Sequence, residues 1–347
     1  MKIGIIGLGR VFDHYISNFI DDKFLSQNQL LICDTNTQLL QKYSEKLNIT
    51  AFEDIQNLID AKPDFVIVAS PSGLHYYHSK ICLQNNINVL SEKPACMRIK
   101  EHFDLIRLSK EKNLQCGVIF QNRFNSAMKT LKKIIDEKHL GKINICSMKL
   151  HWCRDQNYYS DDWHGKWDMD GGVVNQQAIH HIDALQWING PVKKVFSLEG
   201  NLINNLEAED SMMACIKFRN NSLGTIEATT AFRPNDYEAS ITISGDKGFI
   251  KVGGVAINEI IDYSIKDIDK EILDLIEGSS ESFTSGYGNS HKKVIESFMQ
   301  SLLLNKDFSI NISETLNTTK LVHALYRSSE KSMLIDVNNE DSERLGK

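Results

Sequence analysis

With 347 residues, 41% of them hydrophobic and 24% charged, the chain is long for one core and fits two domains. Its net charge of -6 is spread along the sequence rather than blocked, which argues against a nucleic-acid-binding surface. The seven cysteines are scattered and contain no C-x-x-C pair, so neither a disulfide framework nor a zinc site is legible and no metal is expected.

The N-terminus runs directly into a strand-like stretch, and no apolar run reaches the ~18 residues that a membrane span needs. A cytoplasmic protein is expected. From Lys2 to Phe120 short β-branched runs alternate with longer amphipathic stretches, the pattern of parallel strands with crossover helices. Strands are predicted at residues 3–6, 30–33, 65–69, 88–90 and 115–120, with helices at 36–47, 74–84 and 99–111. The strand runs are almost continuously apolar, as expected where helices cover both faces of a doubly wound sheet.

After Arg123 the texture changes. A helix at residues 127–138 leads into alternating runs at 143–151, 212–218, 224–231 and 238–244, which predict a large, mainly antiparallel open sheet. Gly245-Asp246-Lys247-Gly248 is a turn signal that folds residues 249–252 back as a hairpin. Two helices close the domain, at 292–304 with Asn289 or Ser290 as cap and at 313–329. Residues 338–347 are polar and patternless, predicting a frayed tail without function. The expected class is α/β: a Rossmann domain over 1–122, an α+β substrate and oligomerisation domain over 123–337, and the tail.

The first strand ends in Gly7-Leu8-Gly9-Arg10-Val11-Phe12, a G-x-G-x-x fingerprint. Its two glycines permit a tight turn and close approach of a pyrophosphate, which N–H groups at the start of the next helix would hold. Phe12 stands where Gly or Ala is usual, so helix and strand cannot approach as closely there. Asp34 ends the second strand where a ribose-binding carboxylate belongs, and without basic neighbours it favours NAD over NADP. Alternatively, Asp34 caps the helix that follows.

Ala69-Ser70-Pro71-Ser72-Gly73-Leu74-His75 and Ser91-Glu92-Lys93-Pro94 both fall at the carboxyl edge of the sheet. Here the chain resembles the glucose-fructose oxidoreductase and inositol dehydrogenase (Gfo/Idh/MocA) family, over nearly its whole length. The resemblance implies that Lys93, in the E-K-P tripeptide, lies beside the nicotinamide and hydrogen-bonds the reacting hydroxyl, with a bond before Pro94 that is often cis in the family. It also implies a cofactor set of Gly7, Leu8, Gly9, Arg10, Val11, Phe12, Asp34, Ser70, Pro71, Ser72, His75, Glu92, Lys93 and Gln121. Residues 171–183 look like the family's G-G-x-x-x-D-x-x-x-H-x-x-D segment, in which acid and histidine, four apart, share one helical face. By that resemblance His180 is catalytic and Asp183 is the following acid. Gln176 replaces the frequent Asp; a carboxamide takes no proton at neutral pH, so substrate binding is its expected role and acid-base work falls to His180 and Lys93. His181 is read as structural.

Residues 151–167 are dense in aromatics and long polar side chains, a mixture that suits a sugar. This region, with residues 121–125, 176–180 and 253–256, resembles the bacterial nucleotide-sugar branch of the family, the UDP-N-acetylglucosaminuronate 3-dehydrogenases of surface-polysaccharide synthesis. That implies oxidation of a sugar C3 hydroxyl to a ketone, which a partner aminotransferase then aminates. The expected substrate-binding set is Lys93, Arg123, Arg154, Tyr158, Tyr159, Trp163, Gln176 and His180, with Arg154 or Arg123 pairing with a uronate carboxylate or a phosphate. Two other readings stand beside this one: a dehydrogenase of a simple sugar, sugar phosphate or inositol, and a non-catalytic NAD-binding sensor. The open sheet face predicts a homodimer or homotetramer.

Overall fold

The computed structural model describes residues 1–282 and 288–347. The chain divides into two compact units, Met1–Ile119 with His291–Leu316, and Phe120–Ser290 with Asn317–Lys347. Residues 291–316, which the sequence reading assigns to the second domain, therefore cluster with the first unit.

The first unit is built on strands β1 (Lys2–Ile6), β2 (Gln29–Cys33), β3 (Thr50–Phe52), β4 (Phe65–Val68), β5 (Asn88–Ser91) and β6 (Cys116–Val118). They form one parallel sheet in the order β3-β2-β1-β4-β5-β6. This is the doubly wound order, which reverses between β1 and β4 and opens a crevice at the carboxyl ends of those strands. The sequence reading misses β3, whose three residues are too few to show a period. The returning segment seals the far edge: the Val118 N–H donates to the Ile310 carbonyl at 3.0 Å. Phe308 packs so close to Gly117 that a Cβ there would meet its ring at 2.7 Å.

The second unit carries β7 (Ile143–His151), β8 (Val192–Gly200), β9 (Ser211–Phe218), β10 (Leu223–Thr229), β11 (Glu238–Gly245), β12 (Gly248–Gly253), β13 (Glu259–Ile265) and β14 (Ile335–Asp336). Their order is β13-β12-β11-β7-β10-β9-β8-β14, antiparallel throughout except for the parallel pair β7 and β10. Burial alternates along β9, so one face of the sheet packs on helices and the other faces outward. The hairpin between β11 and β12 turns at Asp246 and Lys247, with Gly245 paired to Gly248.

The tail is not frayed. Ser342 and Leu345 are buried, and Arg344 forms ion pairs with Glu199 and Glu330, so the polar texture reflects specific pairing rather than solvation. Among the described residues no helix is long and apolar enough to cross a membrane.

Candidate functional site

In the first unit, the glycine turn between β1 and the helix Arg10–Asn18 is forced by geometry. Gly7 has φ +97°, and a Cβ there would lie 2.5 Å from the Ala69 carbonyl oxygen, so any side chain is excluded. Gly9 differs: it is exposed, and a Cβ there would meet nothing within 4 Å. The protein itself does not require a glycine at this position; the open space before it does fit a ligand backbone. Gly9 is the N-cap of its helix and supplies no side-chain cap, which leaves that end suited to a phosphate.

Asp34 accepts from the Leu8 N–H at 2.7 Å through Oδ2 and from the Asn36 N–H at 2.8 Å through Oδ1. Asn36, not Asp34, caps the following helix. Asp34 thus braces the glycine turn, and its half-buried carboxylate keeps acceptor capacity for ribose hydroxyls. These features fit a dinucleotide.

Other members of the expected cofactor set differ in exposure and in the contacts they make. Phe12 is fully buried, edge-on to Tyr43 at 5.0 Å, so it is a core residue between two helices. Leu8 is also buried, with its N–H already committed to Asp34, whereas Arg10 is exposed and Val11 half-buried. His75 is buried with Nδ1 2.7 Å from the Pro94 carbonyl and Nε2 2.6 Å from the Ser70 carbonyl, bridging the loops after β4 and β5. Burial pushes its imidazole down to about 4, so the neutral ring donates to only one of them. Ser70 Oγ lies 2.9 Å from His78 Nδ1, Ser72 is buried in a short 3-10 turn, and Pro71 is half-buried before it.

Glu92 is buried beneath Lys93. Its carboxylate accepts from the Tyr15 hydroxyl and, at 3.3 Å, from the Lys93 N–H, while burial raises its proton affinity. His291 of the returning helix lies 3.8 Å from the same carboxylate. Tyr15 and His291 carry no sequence signal for this role; only folding brings them to residue 92. Lys93 itself is half-buried and precedes a cis peptide bond to Pro94.

In the second unit, His180 is half-buried near the start of the helix Ile179–Asn189, edge-on to Phe120 with ring centres 5.8 Å apart. His181 points into the core against Trp152, and burial drives its imidazole down to about 4, so it is neutral and structural. The segment is not one helix. Val173–Gln176 forms a separate turn of helix, and the Ala178 N–H reaches back to Val173 at 2.8 Å, widening the backbone. A widened turn thus lies between residues 176 and 180, where the sequence reading expected one regular helix.

Gln176 is buried and its amide nitrogen donates to Asp170 Oδ1. Asp170 also accepts from the Gly165 N–H at 3.2 Å. A neutral amide is what a buried carboxylate needs as neighbour, so Gln176 ties Asp170 into the loop. Arg123 is likewise committed. Its Nε and Nη2 donate to the two Asp183 oxygens at 2.7 and 2.6 Å, and Thr318 Oγ1 completes the pair at 2.9 Å. Arg123 and Asp183 thus form a buried ion pair, and Gln121 is also buried.

Arg154 is more open, paired with Asp236 at 2.9 Å and stacked 4.8 Å over Trp152. Tyr158 contacts Tyr159 and His164 and receives the Gln177 amide at 3.4 Å. The Tyr159 hydroxyl is buried on Thr230 at 2.8 Å. Trp163 stacks on His164, whose Nδ1 sits 2.6 Å from Asp161. The structure thus gathers Tyr158, Trp163, His164 and Arg154 into one aromatic and polar cluster.

Two family models match: "Oxidoreductase family, NAD-binding Rossmann fold" over residues 1–120, and "Oxidoreductase family, C-terminal alpha/beta domain" over residues 132–337. Among curated proteins, the D-glucoside 3-dehydrogenase of Escherichia coli is 24% identical over 97% of each chain. The myo-inositol 2-dehydrogenase of Thermotoga maritima is 26% identical over 75% of this chain and 78% of its own. Among solved structures, the WlbA dehydrogenase of Bordetella pertussis, in complex with NADH and UDP-GlcNAcA, is 28% identical with a TM-score of 0.89 over 98% of each chain. The chain belongs to the Gfo/Idh/MocA oxidoreductase family, whose members include sugar and inositol dehydrogenases and whose first domain is the NAD-binding Rossmann fold.

Proposed function

We propose that this protein is an NAD-dependent dehydrogenase of a nucleotide sugar of the UDP-N-acetylglucosaminuronate kind, oxidising the C3 hydroxyl to a ketone. The observation that carries the reading is the likeness to two WlbA dehydrogenases bound to NADH and UDP-GlcNAcA, from Bordetella pertussis and Chromobacterium violaceum, each with a TM-score of 0.89. A levoglucosan dehydrogenase reaches 0.82, which supports the shared fold alone.

Bound NAD supplies the acceptor for the carbinol hydrogen. The chain must then remove the hydroxyl proton, because an alcohol loses both hydrogens in becoming a ketone. Lys93 and His180 take this work: the lysine donates a hydrogen bond that stabilises the developing alkoxide, and the imidazole accepts the proton. Glu92 positions Lys93 from below, and Asp34 binds the adenosine ribose. Tyr158 and Trp163 offer flat faces to the sugar, and Arg154 meets the uronate carboxylate by exchanging Asp236 for it. The product ketone is a substrate for an aminotransferase. The protein works in the cytoplasm as a homodimer or homotetramer.

The test is reduction of NAD by the purified protein with a panel of UDP-sugars, free sugars, sugar phosphates and inositols. Turnover of the UDP-uronate and loss of about 10²-fold or more in kcat for Lys93→Ala and His180→Ala, with NAD binding kept, is the expected result. Full activity in either variant refutes the assignment. The curated inositol and glucoside dehydrogenases favour a second reading, in which the substrate is an unactivated polyol or glycoside, and turnover of those alone would select it.

A further inference from the structure

The C-terminal residues 342–347 close on the loop that precedes the His180 segment, through three kinds of contact. Leu345 is buried, and its Cδ1 lies 2.8 Å from where a Cβ on Gly171 would be, so it packs directly on the bare Gly171 backbone. The Gly346 N–H donates to the Trp167 carbonyl at 2.8 Å. The Arg344 guanidinium stacks 4.5 Å over the Trp167 ring while pairing with Glu199 and, at 3.2 Å, with Glu330.

The contacts continue inward. Trp167 lies edge-on to Tyr326 at 5.2 Å. The Tyr326 hydroxyl accepts from the Gly172 N–H at 3.3 Å and donates to Glu209 Oε1 at 3.0 Å. Glu209 in turn receives the Val173 N–H on its backbone oxygen at 3.1 Å and the Val174 N–H on Oε1 at 3.0 Å. Both ends of the Gly171-Gly172 turn are therefore fixed by groups from far along the chain, immediately before Gln176 and His180.

We propose that residues 342–347 are a latch that positions the loop 165–176, with Leu345 and Arg344 as positioning residues for sugar binding. The substrate part of this inference rests on the reading that residues 158–180 hold the sugar. Its physical basis is that Gly171 and Gly172 have no side chains of their own to fix the turn. A non-local clamp supplies the order that the local sequence lacks.

The experiment compares the full chain with Leu345→Asp, Leu345→Met and Arg344→Ala. Hydrogen exchange at residues 167–176 and NADH affinity are measured for all four, and sugar KM and kcat for the substrate found above. Leu345→Asp and Arg344→Ala are expected to speed exchange in that segment and raise the sugar KM about tenfold. NADH affinity should stay within about twofold of the wild type, and Leu345→Met should restore both readouts because it conserves volume. Unchanged exchange in Leu345→Asp overturns the latch, whether or not any sugar is turned over. Faster exchange with an unchanged sugar KM overturns its part in substrate positioning. If Leu345→Asp fails to fold, Arg344→Ala decides on the same readouts.

Discussion

Gln176 shows what one atom exchange does inside a buried pair. Its amide donates to Asp170, so Gln176→Glu would set a second carboxylate against the first with no room for water between them. Such a pair cannot ionise fully, and a loss of about 1–3 kcal/mol at neutral pH is expected in urea unfolding, shrinking as the pH is lowered and one carboxyl takes up a proton. Arg123→Ala is expected to cost about 3–5 kcal/mol, since it strands the Asp183 carboxylate in the core. Gly7 was legible because the strand-to-helix fingerprint calls for a residue without a side chain at that turn, which is what the packing there requires. Distant partners were not legible: Arg123 pairs with an aspartate 60 residues on, and Glu92 accepts from Tyr15, 77 residues back. A motif identifies the chemistry of such side chains but not what folding sets against them.

Elements follow the same division. Strands whose apolar face turns inward are readable: β7 runs over the nine residues predicted for it. Strand β8 is not, because its pattern is inverted. Ser197 points inward and donates to the Leu325 carbonyl at 2.6 Å, while Phe196 and Leu198 are exposed. Strand β14, with two residues, carries no period to detect. The turn at Gly172 has its own pH signature. Glu209 presses on it so closely that a Cβ would meet the carboxylate, and burial pushes this acid from 4.5 up to about 8, helped by the nearby charge of Glu199. The folded protein keeps a proton that the unfolded chain releases near 4.5. Between that pH and about 8 the folded state binds more protons, so the stability this group contributes is lost as pH rises through the window. Glu209→Gln, which mimics the protonated acid, should flatten this part of the stability curve and be the more stable form at pH 8. Each tenfold difference in proton affinity that it removes is worth about 1.4 kcal/mol. Unfolding midpoints across the range check this, and parallel curves for the two proteins would refute it.

For the whole molecule, the outward face of the larger sheet is the feature with the most to explain. Leu198 pairs with Met213 and Leu223 with Ile145, and each of these four side chains is more than half exposed. An apolar patch of this kind is unfavourable in water, and the proposed homo-oligomer would bury it against a second copy. The double variant Leu198→Glu and Met213→Glu should lower the mass measured by light scattering to that of the single chain while leaving NADH binding intact. An unchanged mass would place the interface elsewhere.

The covalent path adds a constraint of its own. The polypeptide passes from one compact unit to the other after residues 119, 290 and 316, so neither unit is a continuous piece of sequence. A gene fragment ending near residue 119 would encode β6 without Ile310 and Phe308, the groups that seal its edge. Recombination between relatives cannot exchange the nucleotide module as a simple cassette; three junctions must be matched at once.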